Sequence, residues 1–401
     1  MFTVEDFKVV HGLEPSTVSS LVDHVKIVIR DKDCLELYDL EQFAKREGVL
    51  HLTDELVRVI CSKRDYLGQM DLNARSELVW EFYDETLRKL RDYGARIVRL
   101  DAFAYLHKAP GEQNFFNRPG TWDYLQRLKN IAGKYDLTIF PEIHAEYGAG
   151  IHREIGKEGY PLYDFFFPGL VIDALERGSN EALVRWIDEI LAEGLETINM
   201  LGSHDGIPVL DLKGKRVDGQ YHPGLLTDEQ IDAVVERIIA RGGMTKNLYD
   251  ASGKKIDYYQ VNATFYSALG EDDRKMLLAR AIQMFMPGVP QVWYLDLFVG
   301  KNDYAAAGRG DPGKHKEINR TNLSLIDVEE KLQRPVVRDQ VELLRLRNNS
   351  MAFAGEIQLV ESPSHELHIA WRHPTASATL QADLRNHSFT VRVSSSEGES
   401  V

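Results

Sequence analysis

Three acidic residues each follow a short apolar run, at the point where a buried strand would end. Asp101 follows RIVRL, Glu142 follows TIFP, and Asp205 follows NMLGSH. The carboxyl ends of parallel strands meet at one edge of a sheet, so these acids could converge although they lie far apart in the chain. A retaining glycoside reaction needs two carboxyl groups about 5–5.5 Å apart, one attacking the anomeric carbon and one protonating the leaving oxygen. Arg99 lies two residues before Asp101, so an extended strand places both on one face, where the cation would keep the carboxylate ionised.

The same residue types are also compatible with a metal site. Oxygen and imidazole ligands suit divalent cations, and His144 or His204 could join the three acids as a ligand. One Asp at a strand end is more often a helix cap or a turn residue, whereas three such acids, one following Arg99 and one following His204, indicate a functional site and a structural role equally. The residues alone therefore leave glycoside chemistry and metal binding open.

The elements that must position these side chains alternate between helix and strand from about residue 77 onward. Apolar residues at helical spacing predict helices over 76–94, 121–136, 180–194, 227–242 and 273–288. Short apolar runs predict strands over 95–102, 137–143, 162–168, 197–205 and 289–296. Strands covered on both faces indicate an α/β fold with a parallel sheet, in a TIM barrel or an open doubly wound sheet.

The two ends of the chain differ from this alternating part. Within residues 1–76, helix-like sequence patterns occur over 16–29, 39–48 and 53–65, and no clear βα units are found. A mostly helical N-terminal segment is therefore expected. Residues 77–350 form the expected (β/α) region, and 351–401 a small antiparallel β domain with short alternating strands. A closed eight-stranded barrel would need three more strands before residue 95. We therefore expect an incomplete barrel with an open edge, which favours self-association as a homodimer.

Composition excludes several classes of partner. The 401 residues carry a formal net charge of −14, which would repel nucleic acid and anionic membranes. No run approaches the ~18 apolar residues of a membrane helix, and the first residues lack a signal-peptide pattern. Two cysteines, Cys34 and Cys61, are too few for a disulfide framework and suit a reduced compartment. We expect a cytoplasmic protein.

Longer sequence strings around the three acids resemble those of a known enzyme family. RIVRLDAFAY, FPEIHAEY and GSHDGIP resemble the nucleophile, acid/base and transition-state-stabiliser segments of glycoside hydrolase family 13, the α-amylase clan. YQVNATFYSALG, PGVPQVWY, GKNDY, EINR and RPVV resemble its sucrose phosphorylase group, and LDAFAY followed by NFFNRPGTWDYL is closest to sucrose 6′-phosphate phosphorylases. The likeness runs from about Gln69 to Arg347. It implies a (β/α)8 TIM-barrel fold whose first βα units are missing or replaced by residues 1–68.

The resemblance also implies a role for each matching residue. Asp101 would be the nucleophile, Glu142 the general acid/base and Asp205 the transition-state stabiliser. The implied substrate-binding residues are Arg99, Tyr105, His144, His204 and Arg320. The implied reaction moves glucose from sucrose or a related α-glucoside to inorganic phosphate through a covalent β-glucosyl-enzyme, with Arg320 and the loop from Gly242 to Asp257 holding the phosphate. It needs no metal and no cofactor.

Two other functions remain open at this point. One is hydrolysis or transglucosylation of α-glucosides within the same clan. The other is a truncated, non-catalytic relic or carbohydrate-binding protein that keeps the motifs without the full pocket. The donor is also open between sucrose, sucrose 6′-phosphate, glucosylglycerol and glucosylglycerate, because the loops that select it are the most variable part.

Overall fold

The computed structural model describes residues 4–7, 10–32, 37–63, 72–108, 115–249, 255–308, 314–395 and 398–400. The chain divides into two compact units. The first comprises Met1–Asn73 with Tyr249–Lys255, and the second comprises Ala74–Leu248 with Ile256–Val401. Gln69, where the resemblance begins, lies outside the described residues.

The first unit is helical and has a core of its own. Its helices are α1 (Val4–Phe7), α2 (Pro15–Lys32), α3 (Leu37–Arg46) and α4 (Thr53–Lys63). The largest fully buried side chains of this core are Phe7, Leu21, Phe43 and Leu56. The helices predicted over 16–29, 39–48 and 53–65 are thus confirmed. In neither unit do the described residues include a helix that is long and apolar enough to cross a membrane.

The second unit alternates strands and helices before a C-terminal sheet. Its first ten strands, of which β8 and β9 each have one end residue (Tyr249 and Lys255) in the first unit, are β1 (Ile97–Leu100), β2 (Thr138–Pro141), β3 (Leu162–Asp164), β4 (Thr197–Asn199), β5 (Ile207–Pro208), β6 (Lys215–Val217), β7 (Gln220–His222), β8 (Met244–Tyr249), β9 (Lys255–Asn262) and β10 (Val289–Pro290). Its helices are α5 (Glu77–Asp92), α6 (Gly120–Gly133), α7 (Ile151–Lys157), α8 (Phe167–Arg177), α9 (Glu181–Glu193), α10 (Asp228–Ala240), α11 (Phe265–Ala268), α12 (Asp273–Phe285), α13 (Tyr294–Leu297), α14 (Tyr304–Ala307), α15 (Leu325–Lys331) and α16 (Pro335–Asn349).

Five of these strands run parallel, as the alternation predicts. β1 pairs with β2, and β4 lies between β3 and β10 in a second parallel ladder. The rings of Phe140 on β2 and Tyr163 on β3 lie 5.6 Å apart, so the two ladders are adjacent. Helices occupy every connection between these strands. The fold is therefore α/β, with five parallel strands among the described residues, as the (β/α) TIM-barrel type requires; the homodimer expected from an open edge stays a prediction.

Three predicted segments differ from the structure. The run 162–168 was expected as one strand, but the strand ends at Asp164 and α8 begins at Phe167. The run 289–296 was expected as one strand, but the strand ends at Pro290 and α13 begins at Tyr294. Gly242 to Asp257 was expected as a loop, yet it contains β8 and the start of β9, which join β5 in a sheet of order β5-β9-β8; residues 250–254 lie outside the described residues. In the sequence KNLYD…KKIDYYQVN apolar and polar residues alternate, as they do in a hairpin. The segment lacks the apolar runs from which the other strands were predicted, so its strands were not recognised.

The parallel strands divide the buried residues into two sets. On one side Phe140, Tyr163, Phe165, Ile198 and Met200 form a small apolar cluster. The much larger core on the other side includes Leu125, Phe167, Trp186 and Ile282, on the faces of α6, α8, α9 and α12. A parallel sheet is expected to be covered on both faces, and these clusters provide that cover.

The C-terminal part is an antiparallel sheet, as predicted. Its strands follow one another in chain order as β11 (Glu356–Val360), β12 (Glu366–His373), β13 (Ala376–Asp383), β14 (Ser388–Ser395) and the short β15 (Gly398–Ser400). Trp371 on β12 donates its indole N–H to the carbonyl of Phe285 at 2.9 Å. The guanidinium of Arg347 lies 4.7 Å from the same ring. These contacts join the sheet to the ends of α12 and α16.

A buried acid joins three helices of the second unit. Glu176 on α8 pairs with Arg237 at 2.6 Å, Arg241 at 3.0 Å and Lys275 at 2.7 Å. Its side chain is 6% exposed. Burial alone would raise the pKa of Glu176, but hydrogen bonds and charges from Arg241 and Lys275 lower it from 4.5 to about 2. A pKa lowered by folding stabilises the protein above pH 4.5, and this contribution is lost as the pH falls through 2.

The substitution Glu176→Gln tests this cluster. We expect the free energy of unfolding at pH 7 to fall by ~3 kcal/mol, because the variant lacks the charge that the three cations stabilise. The loss should shrink below pH 4.5 and vanish near pH 2. Urea unfolding at several pH values measures it, with Glu236→Gln on the exposed face of α10 as the matched control. An equal loss at pH 7 and at pH 2 would contradict the charge argument.

Candidate active site

One arginine contacts two of the strand-end acids. Arg99 on β1 donates from Nη2 to Oδ1 of Asp101 at 2.8 Å, and its Nη1 lies 2.5 Å from Oε2 of Glu142. The register of β1 and β2 explains this meeting, because Leu100 pairs with Pro141 and the two acids are the next residues along each strand. The Arg99 guanidinium also lies 5.7 Å from the ring centre of Tyr163. The contact expected between Arg99 and Asp101 is present, and Glu142 shares it.

Glu142 and Asp101 occupy different surroundings. Glu142 is 8% exposed and accepts the backbone N–H of Ala102 at 3.1 Å, whereas the Asp101 side chain is 66% exposed. Ala102 has a φ of 46°, a left-handed conformation that aims this N–H at Glu142. Burial raises the pKa of Glu142 against the charge of Arg99, and a hydrogen bond with Asp101 adds to the rise. The buried carboxyl thus favours its protonated form.

His144 follows Glu142 and lies in a fixed position. Its ring stacks on Phe165 at 3.6 Å between centroids, with 22° between the planes. Nδ1 lies 3.3 Å from Oδ2 of Asp211, and Nε2 lies 3.9 Å from Oε1 of Glu142. The imidazole therefore bridges two acids.

Asp205 lies in a cluster of cations after β4. Oδ1 of Asp205 accepts from Nζ of Lys316 at 2.8 Å and from Nη2 of Arg320 at 3.0 Å. Oδ2 lies 3.3 Å from Nε2 of His204. Burial would raise the pKa of Asp205, but Lys316, His204 and Arg320 lower it below its ordinary value. Asp205 is thus held as a carboxylate.

The backbone around Asp205 is clamped from two directions. Asn262 donates to the carbonyl of Asp205, and Asn319 donates to the carbonyl of Ser203, each at 2.7 Å. Gly206 has a φ of 103°, and a Cβ there would lie 2.5 Å from the carbonyl oxygen of Val261. A glycine is therefore required directly after Asp205.

Charge effects connect the residues around Arg99 with the residues around Asp205. Asp205 is among the charges that raise the pKa of His144, and Arg99 is among those that lower the pKa of His204 below its ordinary value, after the larger effect of burial. Arg320 also donates to the carbonyl of His204 at 2.8 Å.

Tyr105 differs from the other predicted residues: it is 43% exposed on the turn after Asp101, with its ring 5.4 Å from Phe115. Seven of the eight predicted residues thus converge.

Sequence reasoning missed three contributors. Lys316 precedes the EINR string and contacts Asp205, but a lone lysine in a charged loop carries no distinctive pattern. Tyr163 is a buried strand residue that accepts a hydrogen bond from Nε2 of Gln291 at 2.7 Å. Burial raises the pKa of Tyr163. Asp211 lies 67 residues from His144, so only the folded chain reveals its contact.

No group of three or more His, Cys, Asp or Glu residues that could hold a metal ion occurs in the described ranges of the chain. Carboxyl groups at the ends of parallel strands, bridged by an arginine, define the class as an α/β protein with an acid-pair site.

Comparison with known proteins narrows this class. The chain is 58% identical over 335 residues to the sucrose 6(F)-phosphate phosphorylase of Ilumatobacter coccineus, covering 84% of the chain and 63% of that protein. It is 34% identical to the sucrose 6(F)-phosphate phosphorylase of Thermoanaerobacterium thermosaccharolyticum, covering 87% of the chain and 69% of that protein. The crystal structure of sucrose 6F-phosphate phosphorylase from Thermoanaerobacter thermosaccharolyticum matches with a TM-score of 0.75 and 33% identity, over 84% of the chain and 66% of that structure.

The chain belongs to the sucrose phosphorylase group of glycoside hydrolase family 13. No protein-family model matches it. The chain spans slightly less than two thirds of the length of the Ilumatobacter protein.

The substitution Arg99→Gln tests the bridge between the two acids. We expect the pKa of Glu142 to rise further, because Arg99 is the largest of the effects that lower it. Carboxyl ¹³C NMR of glutamate-labelled protein measures the titration, with the Glu142 signal assigned by its loss in Glu142→Gln. Arg96→Gln, at an exposed position three residues earlier, is the matched control. A Glu142 titration that stays in place or moves to lower pH would contradict the bridge.

Proposed function

We propose that this chain carries the catalytic residues of a retaining α-glucosyl phosphorylase. The observation that carries the proposal is the Arg99 guanidinium in contact with Asp101 at 2.8 Å and with Glu142 at 2.5 Å. Paired carboxyl groups at one arginine, one accessible and one buried with a raised pKa, suit a nucleophile and a general acid. The donor is sucrose or a related α-glucoside such as sucrose 6′-phosphate, glucosylglycerol or glucosylglycerate, and the acceptor is inorganic phosphate.

The first step forms a glucosyl-enzyme. The Asp101 carboxylate attacks the anomeric carbon while Glu142 gives its proton to the departing glycosidic oxygen, so the leaving sugar departs as a neutral alcohol. Asp205, kept ionised by its cations, stabilises the positive charge that develops on the sugar ring. Asp101 and Glu142 share the Arg99 guanidinium, which brings both carboxyl groups to one place. Retaining chemistry uses two carboxyl groups about 5–5.5 Å apart, one on each side of the bond that is cleaved.

The second step transfers glucose to phosphate. Glu142, now a carboxylate, accepts a proton from dihydrogen phosphate while a phosphate oxygen attacks the anomeric carbon and releases Asp101. The product is α-glucose 1-phosphate with net retention, and both acids return to their starting protonation states. Arg320 and Lys316 supply positive charge beside Asp205, which supports binding of an anionic acceptor.

The decisive experiment incubates the chain with each donor and phosphate and measures α-glucose 1-phosphate. Its release from one donor supports phosphorolysis and names the substrate. Release of free glucose alone would identify a hydrolase instead, and transfer to an added sugar a transglucosidase. Absence of turnover with measurable sugar binding would favour a carbohydrate-binding protein.

The substitutions Asp101→Asn and Glu142→Gln test the two main roles. Asp101→Asn should reduce α-glucose 1-phosphate release by at least ~10³-fold, because no covalent intermediate forms. Glu142→Gln should lose about 10²–10⁴-fold with sucrose and far less with α-glucosyl fluoride, whose leaving group needs no proton. Asp123→Asn, exposed on α6, is the control and should keep normal turnover. Unchanged phosphorolysis by Asp101→Asn would refute the nucleophile assignment.

The substitution Lys316→Gln tests the charge control of Asp205. Lys316 lowers the pKa of Asp205, so its removal should raise that pKa and let Asp205 protonate at a higher pH. The acidic limb of the kcat/KM profile should therefore move to higher pH, so the loss of kcat/KM should be larger on the acidic limb than at neutral pH. Lys301→Gln, at an exposed lysine paired with Glu271, should leave the profile unchanged. An acidic limb that moves to lower pH would contradict this role.

A further inference from the structure

A buried carboxylate lies behind His144, next to the segment that follows Glu142. Asp211 follows β5 on a short 3₁₀ turn (Leu210–Leu212) and is 2% exposed. Its Oδ1 accepts the backbone N–H of Ala145 at 3.2 Å, and its Oδ2 lies 3.3 Å from Nδ1 of His144. Both oxygens thus contact the segment that follows Glu142. Carboxylate oxygens accept hydrogen bonds, so the contact with Asp211 favours a proton on Nδ1 of His144.

Contacts on three sides fix the orientation of the His144 ring. Phe165 stacks against one face at 3.6 Å, and Asp211 holds Nδ1. Nε2 consequently lies on the side of Glu142, 3.9 Å from Oε1. In the neutral ring Nε2 presents a lone pair, and in the cationic ring it presents an N–H donor.

The largest charge effects on His144 come from acids. They belong to Asp211 after β5, Glu142 at the end of β2 and Asp205 after β4. Arg99 is the cation next to them, and it contacts Glu142 at 2.5 Å. Burial of the imidazole alone would lower the pKa of His144, but Asp211, through its charge and hydrogen bond, and then Glu142 and Asp205 raise it above its ordinary value. His144 is therefore suited to carry a positive charge beside the acid.

We propose that Asp211 is a positioning residue that holds His144 as a cation with Nε2–H directed beside Glu142, where it donates to the oxygen of an anionic acceptor. The proposal rests on the proposed phosphorolysis for the identity of that acceptor. It gives the acceptor side a cation of its own, separate from Lys316 and Arg320 at Asp205. Asp211 itself acts only through His144.

The first test needs no variant of Asp211. ¹⁵N NMR of the imidazoles, with His144 assigned by its loss in His144→Gln, reports which nitrogen carries the proton when the ring is neutral. We expect the Nδ1–H form, and inorganic phosphate should shift the Nε2 resonance. A predominant Nε2–H form would overturn the proposal even if the chain has no phosphorylase activity.

The second test compares Asp211→Asn with the exposed control Asp228→Asn. In Asp211→Asn the His144 titration should move to lower pH, and KM for phosphate should rise about tenfold, the loss of one charge-assisted hydrogen bond, with a smaller change in kcat. The effect on KM should disappear in a His144→Gln background. An unchanged titration, or an equal KM effect without His144, would refute the positioning role; absence of phosphorolysis with the shifted titration would refute only the proposed function.

Discussion

The contact on which this site depends is the arginine bridge between β1 and β2. Arg99 binds one acid at its own strand end and another at the end of the neighbouring strand. Two carboxyl groups so close would repel each other if both were ionised, and the guanidinium offsets that repulsion. Parallel register supplies the geometry, because the paired residues Leu100 and Pro141 bring the two acids to the same level.

The pKa values of the acids in the site differ because of their surroundings rather than their residue types. Glu142 is buried and its pKa is raised, whereas Asp205 is partly buried among cations and its pKa is lowered. Glu142 therefore keeps its proton to a higher pH than an ordinary glutamate, and Asp205 keeps its charge to a lower pH than an ordinary aspartate. The pKa of His144 is raised despite burial, because the largest charge effects on it come from acids.

Sequence patterns predicted the parts of the site that strands position. Arg99 and Asp101 share one strand, and Glu142 ends the next, so periodicity and strand ends suffice to bring them together. The contacts of Lys316 with Asp205 and of Asp211 with His144 span 111 and 67 residues, and both depend on the path of loops. The hairpin of β8 and β9 was missed for a related reason, since its polar strands lack the apolar runs of the parallel ones.

The amide clamps on the loop of Asp205 have a further consequence. Asn262 and Asn319 donate to main-chain carbonyl oxygens, and Lys316 contacts the carboxylate. Arg320 does both, because it donates to the carbonyl of His204 and to the carboxylate of Asp205. The course of the loop therefore depends on the two amides and Arg320, so evolution or a protein engineer can exchange Lys316 to suit another acceptor while the loop keeps its course.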